Sequence, residues 1–108
     1  IQKSDSNIDL NKPAEVLERE VRAYLGWPGS KLKLELANGK ELEIIITNSR
    51  VEKTISTQPE QVLTTDRRFM VKTSQDYLEI LKLKLPGKNE MTAAEFLNGY
   101  LDKIKDLQ

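Results

Sequence analysis

The sequence predicts a mainly β domain, a small barrel of five or six short strands with a single helix at each end. Three observations predict it. Apolar residues alternate with charged ones through SKLKLELANGKELEIIITNSR, the period of strands with one buried face. Further short apolar runs follow, separated by compact polar turns rather than by helix-length segments. Helical periodicity occurs at only two places, one near each end of the chain.

The opening IQKSDSN is polar, and residues 1–12 read as an interdomain linker or tail, with residues 13–108 as the barrel domain. A chain that begins in linker-like composition suggests a domain cut from something larger. The first helix is predicted over 13–25. Asn11 is the expected N-cap, and Pro13 suits the first turn, where a missing N–H costs nothing. Glu15 and Glu18 lie near the positive end of the helix dipole. Val16, Leu17, Val21, Tyr24 and Leu25 share one helical face. Gly26 stops the helix, and Trp27-Pro28-Gly29 forbids its continuation. The lone tryptophan, Trp27, is expected to plug the core where the helix turns into the barrel.

Asn38-Gly39 marks a hairpin. A two-residue loop there would set Leu36 opposite Glu41 and break the alternation on both strands. A three-residue loop, Ala37-Asn38-Gly39, instead sets Leu34 opposite Leu42 and Leu32 opposite Ile44, with Gly39 in the left-handed position. Lys33 then faces Glu43. A weaker third strand is expected over 51–55. Val62-Leu63-Thr64 and Phe69-Met70-Val71-Lys72 flank a polar turn at 65–68, and a second turn at 73–76 leads into a long strand over 77–85. The apolar set of that strand shifts from Leu78 and Ile80 to Leu81, Leu83 and Leu85, so its parity changes, which implies either a bulge or a strand crossing from one side of a barrel to the other. The terminal helix is predicted over about 92–106. Thr92 and Glu95 form a T-x-x-E capping box, and Phe96, Leu97, Tyr100, Leu101, Ile104 and Leu107 make its apolar face.

Composition excludes several kinds of chemistry. The 108 residues carry 17 basic and 17 acidic side chains and no histidine or cysteine. Disulfides, thiolate nucleophiles, imidazole bases and the commonest metal ligands are therefore absent. No P-loop, G-x-G-x-x-G or H-E-x-x-H motif occurs. Glu41 and Glu43 form a carboxylate pair on a strand face open to water, where nothing perturbs them toward acid–base work. The sequence thus carries no catalytic residue and no metal site. No run of about 18 apolar residues exists, so no membrane span is expected, and a cytoplasmic location follows.

The basic residues are the remaining candidates. Lys82 and Lys84 alternate with Leu81, Leu83 and Leu85, which places them about 7 Å apart on one strand face. That spacing matches adjacent phosphates of one nucleic-acid strand, and Lys88 follows the Pro86-Gly87 turn. Arg67, Arg68 and Lys72 form a second cluster around one hairpin. Each such contact would add salt-dependent, sequence-independent affinity for a polyanion. The plainer reading is a solubilising face, since lysines commonly blunt sheet edges.

Three stretches resemble one family. IDLNKPAEVLEREVRAYLGWPGS resembles the entry into the C-terminal domain of methionyl-tRNA formyltransferases. YLEILKLKLPGKNEMTAAEFLNGY resembles that family's closing stretch, and ANGKELEI between them fits its N-G-K-x-L-x-I element. The resemblance covers about residues 8–101. It implies an open Greek-key barrel, OB-like in shape, with flanking helices. It also implies that this domain holds initiator methionyl-tRNA through basic side chains on the barrel. A separate N-terminal domain would then bind 10-formyltetrahydrofolate and perform the chemistry, so no cofactor is expected here. In that reading Lys82, Lys84, Lys88, Arg67, Arg68 and Lys72 are the backbone contacts, while Trp27, Pro28, Gly29 and Gly87 are structural. Two alternatives remain open. One is a structural or dimer-forming module of another formyltransferase, acting on an amino sugar or on formyl-folate; the other is a free-standing interaction domain.

Overall fold

A computed structural model describes residues 7–26, 29–53, 62–64, 67–100 and 104–107. The elements run α1 (Ala14–Ala23), β1 (Lys31–Leu36), β2 (Glu41–Glu52), β3 (Val62–Leu63), β4 (Phe69–Lys72), β5 (Tyr77–Lys84), β6 (Met91–Thr92), α2 (Ala93–Tyr100) and β7 (Ile104–Leu107). The strands form one antiparallel sheet in the order β3-β4-β5-β2-β1-β7, with β6 on β5. Strands β3, β4 and β5 follow one another as a meander, and β5 then returns to lie beside β2. That return is a Greek-key arrangement. The sheet curls into an open half-barrel with one helix from each end of the chain against it, as the sequence predicts.

The first hairpin has the three-residue loop. Lys33 pairs with Glu43, Leu34 with Leu42 and Leu32 with Ile44. Gly39 takes φ +84°, and Leu36 N–H donates to the Lys40 carbonyl at 2.8 Å across the loop. Glycine reaches that left-handed conformation without steric cost, so the turn sets the register. Glu43, however, finds its nearest ammonium diagonally, at Lys31, 4.0 Å away. The segment expected as a third strand is in part the end of β2, which continues unbroken through Val51 and Glu52.

Helix α1 begins one residue after Pro13, and this corrects the expected cap. Pro13 occupies the N-cap position with extended backbone and provides no side-chain cap. The Ala14 N–H donates instead to the Gln75 carbonyl in the β4–β5 turn, at 3.0 Å. A tertiary contact satisfies the orphan donor that Asn11 was expected to serve. Ala14, Leu17 and Val21 are buried against the sheet, whereas Leu25, expected on the same face, lies past the helix end and is 59% exposed. After the helix, Gly29 takes φ +87°, and a Cβ there would meet Ile45 Cγ2 at 3.4 Å. Trp27 and Pro28 lie outside the described residues.

Helix α2 starts on its capping box. Glu95 N–H donates to Thr92 Oγ1 at 3.2 Å, and Thr92 N–H donates to Glu95 Oε1 at 3.0 Å. Phe96 and Leu97 are buried, and the Phe96 ring stacks between Phe69 (5.7 Å) and Tyr100 (4.8 Å). The helix is shorter than the sequence predicts. Its described span is Ala93–Tyr100, and Ile104–Leu107 forms β7, with Leu107 opposite Leu34 and Ile104 opposite Leu36. Gly99 weakens helix propensity at that point, and β1 offers an edge whose backbone groups gain partners from an added strand.

The core lies between the concave face of the sheet and the two helices. Leu34, Ile44, Ile46, Leu78, Ile80 and Leu83 from the strands pack with Leu17, Val21 and Phe96 from the helices, all at most 1% exposed. The parity break in β5 has one of its two expected causes. Thr47 on β2 and Leu81 on β5 are each an extra residue in the ladder, because the register runs Ile46↔Leu83, Asn48↔Lys82, Ser49↔Ile80. The two irregularities cancel, so the ladder resumes in register beyond them.

Candidate nucleic-acid interface

The irregularity divides the outer face of the β2–β5 ladder in two. On the C-terminal side of Leu81, Lys82 and Lys84 point outward and are exposed, while Leu83 between them is fully buried. Lys82 lies between Asn48 of β2 and Thr92 of β6, and Lys84 lies opposite Ile45. At the strand end, Leu85 and Lys88 close a turn through a 2.9 Å hydrogen bond from the Lys88 N–H to the Leu85 carbonyl. Gly87 takes φ +76° within it, which leaves exposed Lys88 just beyond the strand. Among the described residues, no carboxylate forms an ion pair with Lys82, Lys84 or Lys88. Three ammonium groups thus follow one another along a single strand and its turn.

On the other side of Leu81 the charges are paired. Glu79 is 6% exposed although it lies in an outward position of β5. Arg68 holds it bidentately, Nε at 3.0 Å from Oε2 and one terminal nitrogen at 2.9 Å from Oε1. Arg50, directly across the ladder, donates to Oε1 at 2.6 Å. Glu52 closes the group, 2.7 Å from Arg50 and 2.9 Å from Arg68. Two cations and two anions make a neutral quartet. Hydrogen bonds from Arg68 hold the Glu79 carboxyl below its usual range against the opposing effect of burial; the same contacts raise the Arg68 guanidinium, and the Arg50 guanidinium is raised by its own hydrogen bond to Glu79.

The six candidate cations therefore have different surroundings. Lys82, Lys84 and Lys88 come together on one strand and turn. Arg68 is committed to Glu79 and Glu52. Arg67 is exposed, with left-handed φ of 61°. Lys72 sits exposed on β4 opposite Tyr77. Neither Arg50 nor Glu79 stood out in the sequence. The one available signal was a carboxylate between Leu78 and Ile80, shortly before the parity break. Among the described residues, no three acidic groups approach closely enough to hold a metal ion, and no helix is long and apolar enough to cross a membrane.

A methionyl-tRNA formyltransferase from Herpetosiphon aurantiacus is 32% identical over 102 residues, which cover 94% of this chain and 32% of the relative. One from Dehalococcoides mccartyi is 36% identical over 101 residues, 92% of this chain and 31% of the relative. The chain thus spans about a third of the length of these relatives. Among solved structures, HypX from Aquifex aeolicus, in complex with tetrahydrofolic acid, superposes with a TM-score of 0.72 at 19% identity. The match covers 98% of this chain and 19% of HypX. That likeness speaks for the fold. The profile of the formyl transferase C-terminal domain matches residues 1–101, and the chain belongs to that family.

Proposed function

We propose that this chain is the tRNA-binding C-terminal domain of a methionyl-tRNA formyltransferase acting in the cytoplasm at translation initiation. The full-length protein would transfer a formyl group from 10-formyltetrahydrofolate to the amine of methionyl-initiator-tRNA, with its chemistry in a separate N-terminal domain. This domain would hold the tRNA backbone so that the acceptor end reaches that site. The observation that carries the reading is the row of exposed lysines, Lys82, Lys84 and Lys88, without acidic partners among the described residues. Two of them have the period of a phosphate backbone, about 7 Å. Arg67, ahead of β4, and Lys72, at its end, extend the contact set, and Arg68 supports it from within its ion pairs. The relatives' names agree with this reading. The second reading is a structural or dimer-forming module of another formyltransferase, acting on an amino sugar or on formyl-folate; the fold shared with HypX is compatible with either reading.

The test is a titration of tRNA with the chain at several salt concentrations. Replacing Lys82, Lys84 or Lys88 by alanine should each lower the slope of log affinity against log salt by about 1, uniformly across RNA sequences. Absence of affinity at low salt, or affinity without salt dependence, would refute it. A homodimer indifferent to tRNA would favour the second reading.

A further inference from the structure

Beside Lys84 a hollow of about 200 Å³ opens between the α1–β1 connection and β2. Leu25, Gly26, Gly29, Ile45, Ile46 and Thr47 line it together with Lys84. Its volume is below the roughly 300–1,000 Å³ of sites that enclose drug-sized molecules, so it suits a single ring system. Two features set its chemistry. Leu25 is the large apolar side chain left mostly in water among the described residues, and Gly26 and Gly29 expose bare backbone at φ +93° and +87°, where other residues are strained. The apolar part is also bracketed by cations. Ile45 pairs with Lys31 on one side and with Lys84 on the other. Lys31 has Glu43 at 4.0 Å, whereas Lys84 has no acidic partner among the described residues. A neutral apolar ligand would make no use of that lysine. A planar apolar ring that carries an anion would use both parts.

We infer that the hollow receives one unstacked nucleobase of a bound RNA, with Lys84 on that nucleotide's phosphate, Lys82 on the next, and Leu25 and Ile45 packed on the base. The inference rests on the tRNA-binding reading and adds to it a base contact, where the lysines alone give backbone contacts. Stacking and apolar contact with a base are tolerant of sequence, so the hollow selects for an unstacked nucleotide rather than for one base.

The test compares two single-stranded probes, a hexauridylate and the same ribose-phosphate oligomer without bases, titrated into the isotopically labelled chain. The base-bearing oligomer should bind about tenfold more tightly and should shift the amides of Gly26, Gly29 and Ile45, which the base-free oligomer leaves in place. Leu25→Ala should remove most of that difference, and because Leu25 is exposed its replacement spares the fold. Lys84→Ala should weaken both oligomers alike. Equal binding of the two probes, or a base-dependent gain that survives in Leu25→Ala or shifts amides elsewhere, overturns the inference and leaves backbone contact by the lysines intact. If neither probe responds to salt or to Lys84→Ala, the tRNA-binding reading falls and the hollow with it.

Discussion

The two halves of the β2–β5 outer face carry similar residue types and put them to different uses. Beyond Leu81, Lys82 and Lys84 stand in water without acidic partners among the described residues. Before it, Arg50 and Arg68 are gathered around Glu79 and Glu52 within 3.0 Å. The first arrangement gains little for the fold, because a lone exposed lysine neither pairs nor packs, and its charge stays uncompensated; under the proposed function that charge is the part offered to a polyanion. The second does the reverse. A carboxylate at 6% exposure requires partners, since burying it alone would cost far more than its contacts return. Counting cations along a sequence cannot separate the two halves. The position of the opposing carboxylates decides which cations remain for a ligand.

The sharpest way to break this contrast is Glu79→Ala. It would leave the Arg50 and Arg68 guanidinia facing each other with only Glu52 as a shared anion. Removing one partner of a fully buried pair costs about 3–5 kcal/mol. Here both arginines reach solvent, at 55% and 36% side-chain exposure, so a loss of about 2–3 kcal/mol is expected in urea unfolding. Affinity for tRNA at a temperature where the variant is folded should stay close to that of the parent chain. A variant as stable as the parent would mean that the quartet is incidental surface charge.

The next effect concerns pH. Arginine hydrogen bonds hold the Glu79 carboxyl below its ordinary value of 4.5. A carboxyl whose folded value lies below its unfolded one contributes stability that is fully present above the unfolded value and lost as pH falls through the folded one. The chain should therefore lose stability progressively below about pH 4.5. Glu79→Gln should be less stable at neutral pH and show a flatter acid limb. Glu95, held low by the Thr92 N–H and hydroxyl at the start of α2, should account for part of the slope that remains. Urea midpoints measured at pH 7, 4.5 and 3 in parent and variant would check the sign, and an acid limb equally steep in both would remove Glu79 from the account.

Which parts of this were legible in the sequence follows from the range of the interactions involved. The register of the first hairpin was legible, because side-chain alternation and one left-handed glycine set it from Lys31 to Ile45. The capping box of α2 was legible because it acts over three residues. The irregularity near Leu81 was legible from the shift of parity, although its counterpart at Thr47 lies 34 positions away in sequence. Three features were not. The cap of α1 comes from the Gln75 carbonyl, 61 positions from Ala14. The end of α2 depends on the free edge of β1, which recruits Ile104–Leu107 as a strand even though their spacing fits a helical face. The commitment of Arg68 depends on Glu79, and Arg50 reaches the same carboxylate across the sheet from 29 positions away. The lysine half of the candidate interface was readable because it lies on one strand, and the arginine half was not because folding brings its partners together.

A crossed pair of variants sharpens the comparison further. Lys82→Ala with Lys84→Ala should leave the unfolding midpoint unmoved, since neither lysine forms an ion pair among the described residues, and should lower the salt slope of tRNA binding by about 2. Arg68→Ala should do the opposite, moving the midpoint and leaving most of the slope. The two readouts are independent. If Arg68→Ala lowers the slope as much as one lysine replacement does, the guanidinium exchanges Glu79 for phosphate on binding, and the quartet belongs to the interface.

The smallest expected effect lies at the seam between the halves. Thr47 Oγ1 and Ser49 Oγ are enclosed without a hydrogen-bond partner among the described residues, and both flank the point where the β2 register shifts. A buried hydroxyl without a partner forfeits the hydrogen bonds that water gave it in the unfolded chain. Ser49 is 8% exposed and lies opposite fully buried Ile80, so its hydroxyl faces apolar surroundings. Ser49→Ala deletes that one oxygen and leaves the backbone ladder unchanged. The expected outcome is a gain of about 0.5–1 kcal/mol in urea unfolding, with tRNA affinity and its salt slope unaltered. Thr47 gives the complementary case. It lines the hollow beside Lys84, so Thr47→Val, which keeps the shape of the side chain and removes the hydroxyl, should match Ser49→Ala in sign. A loss of stability in both variants would mean that the hydroxyls find partners in solution, and the seam would then be a hydrated joint rather than a dry one.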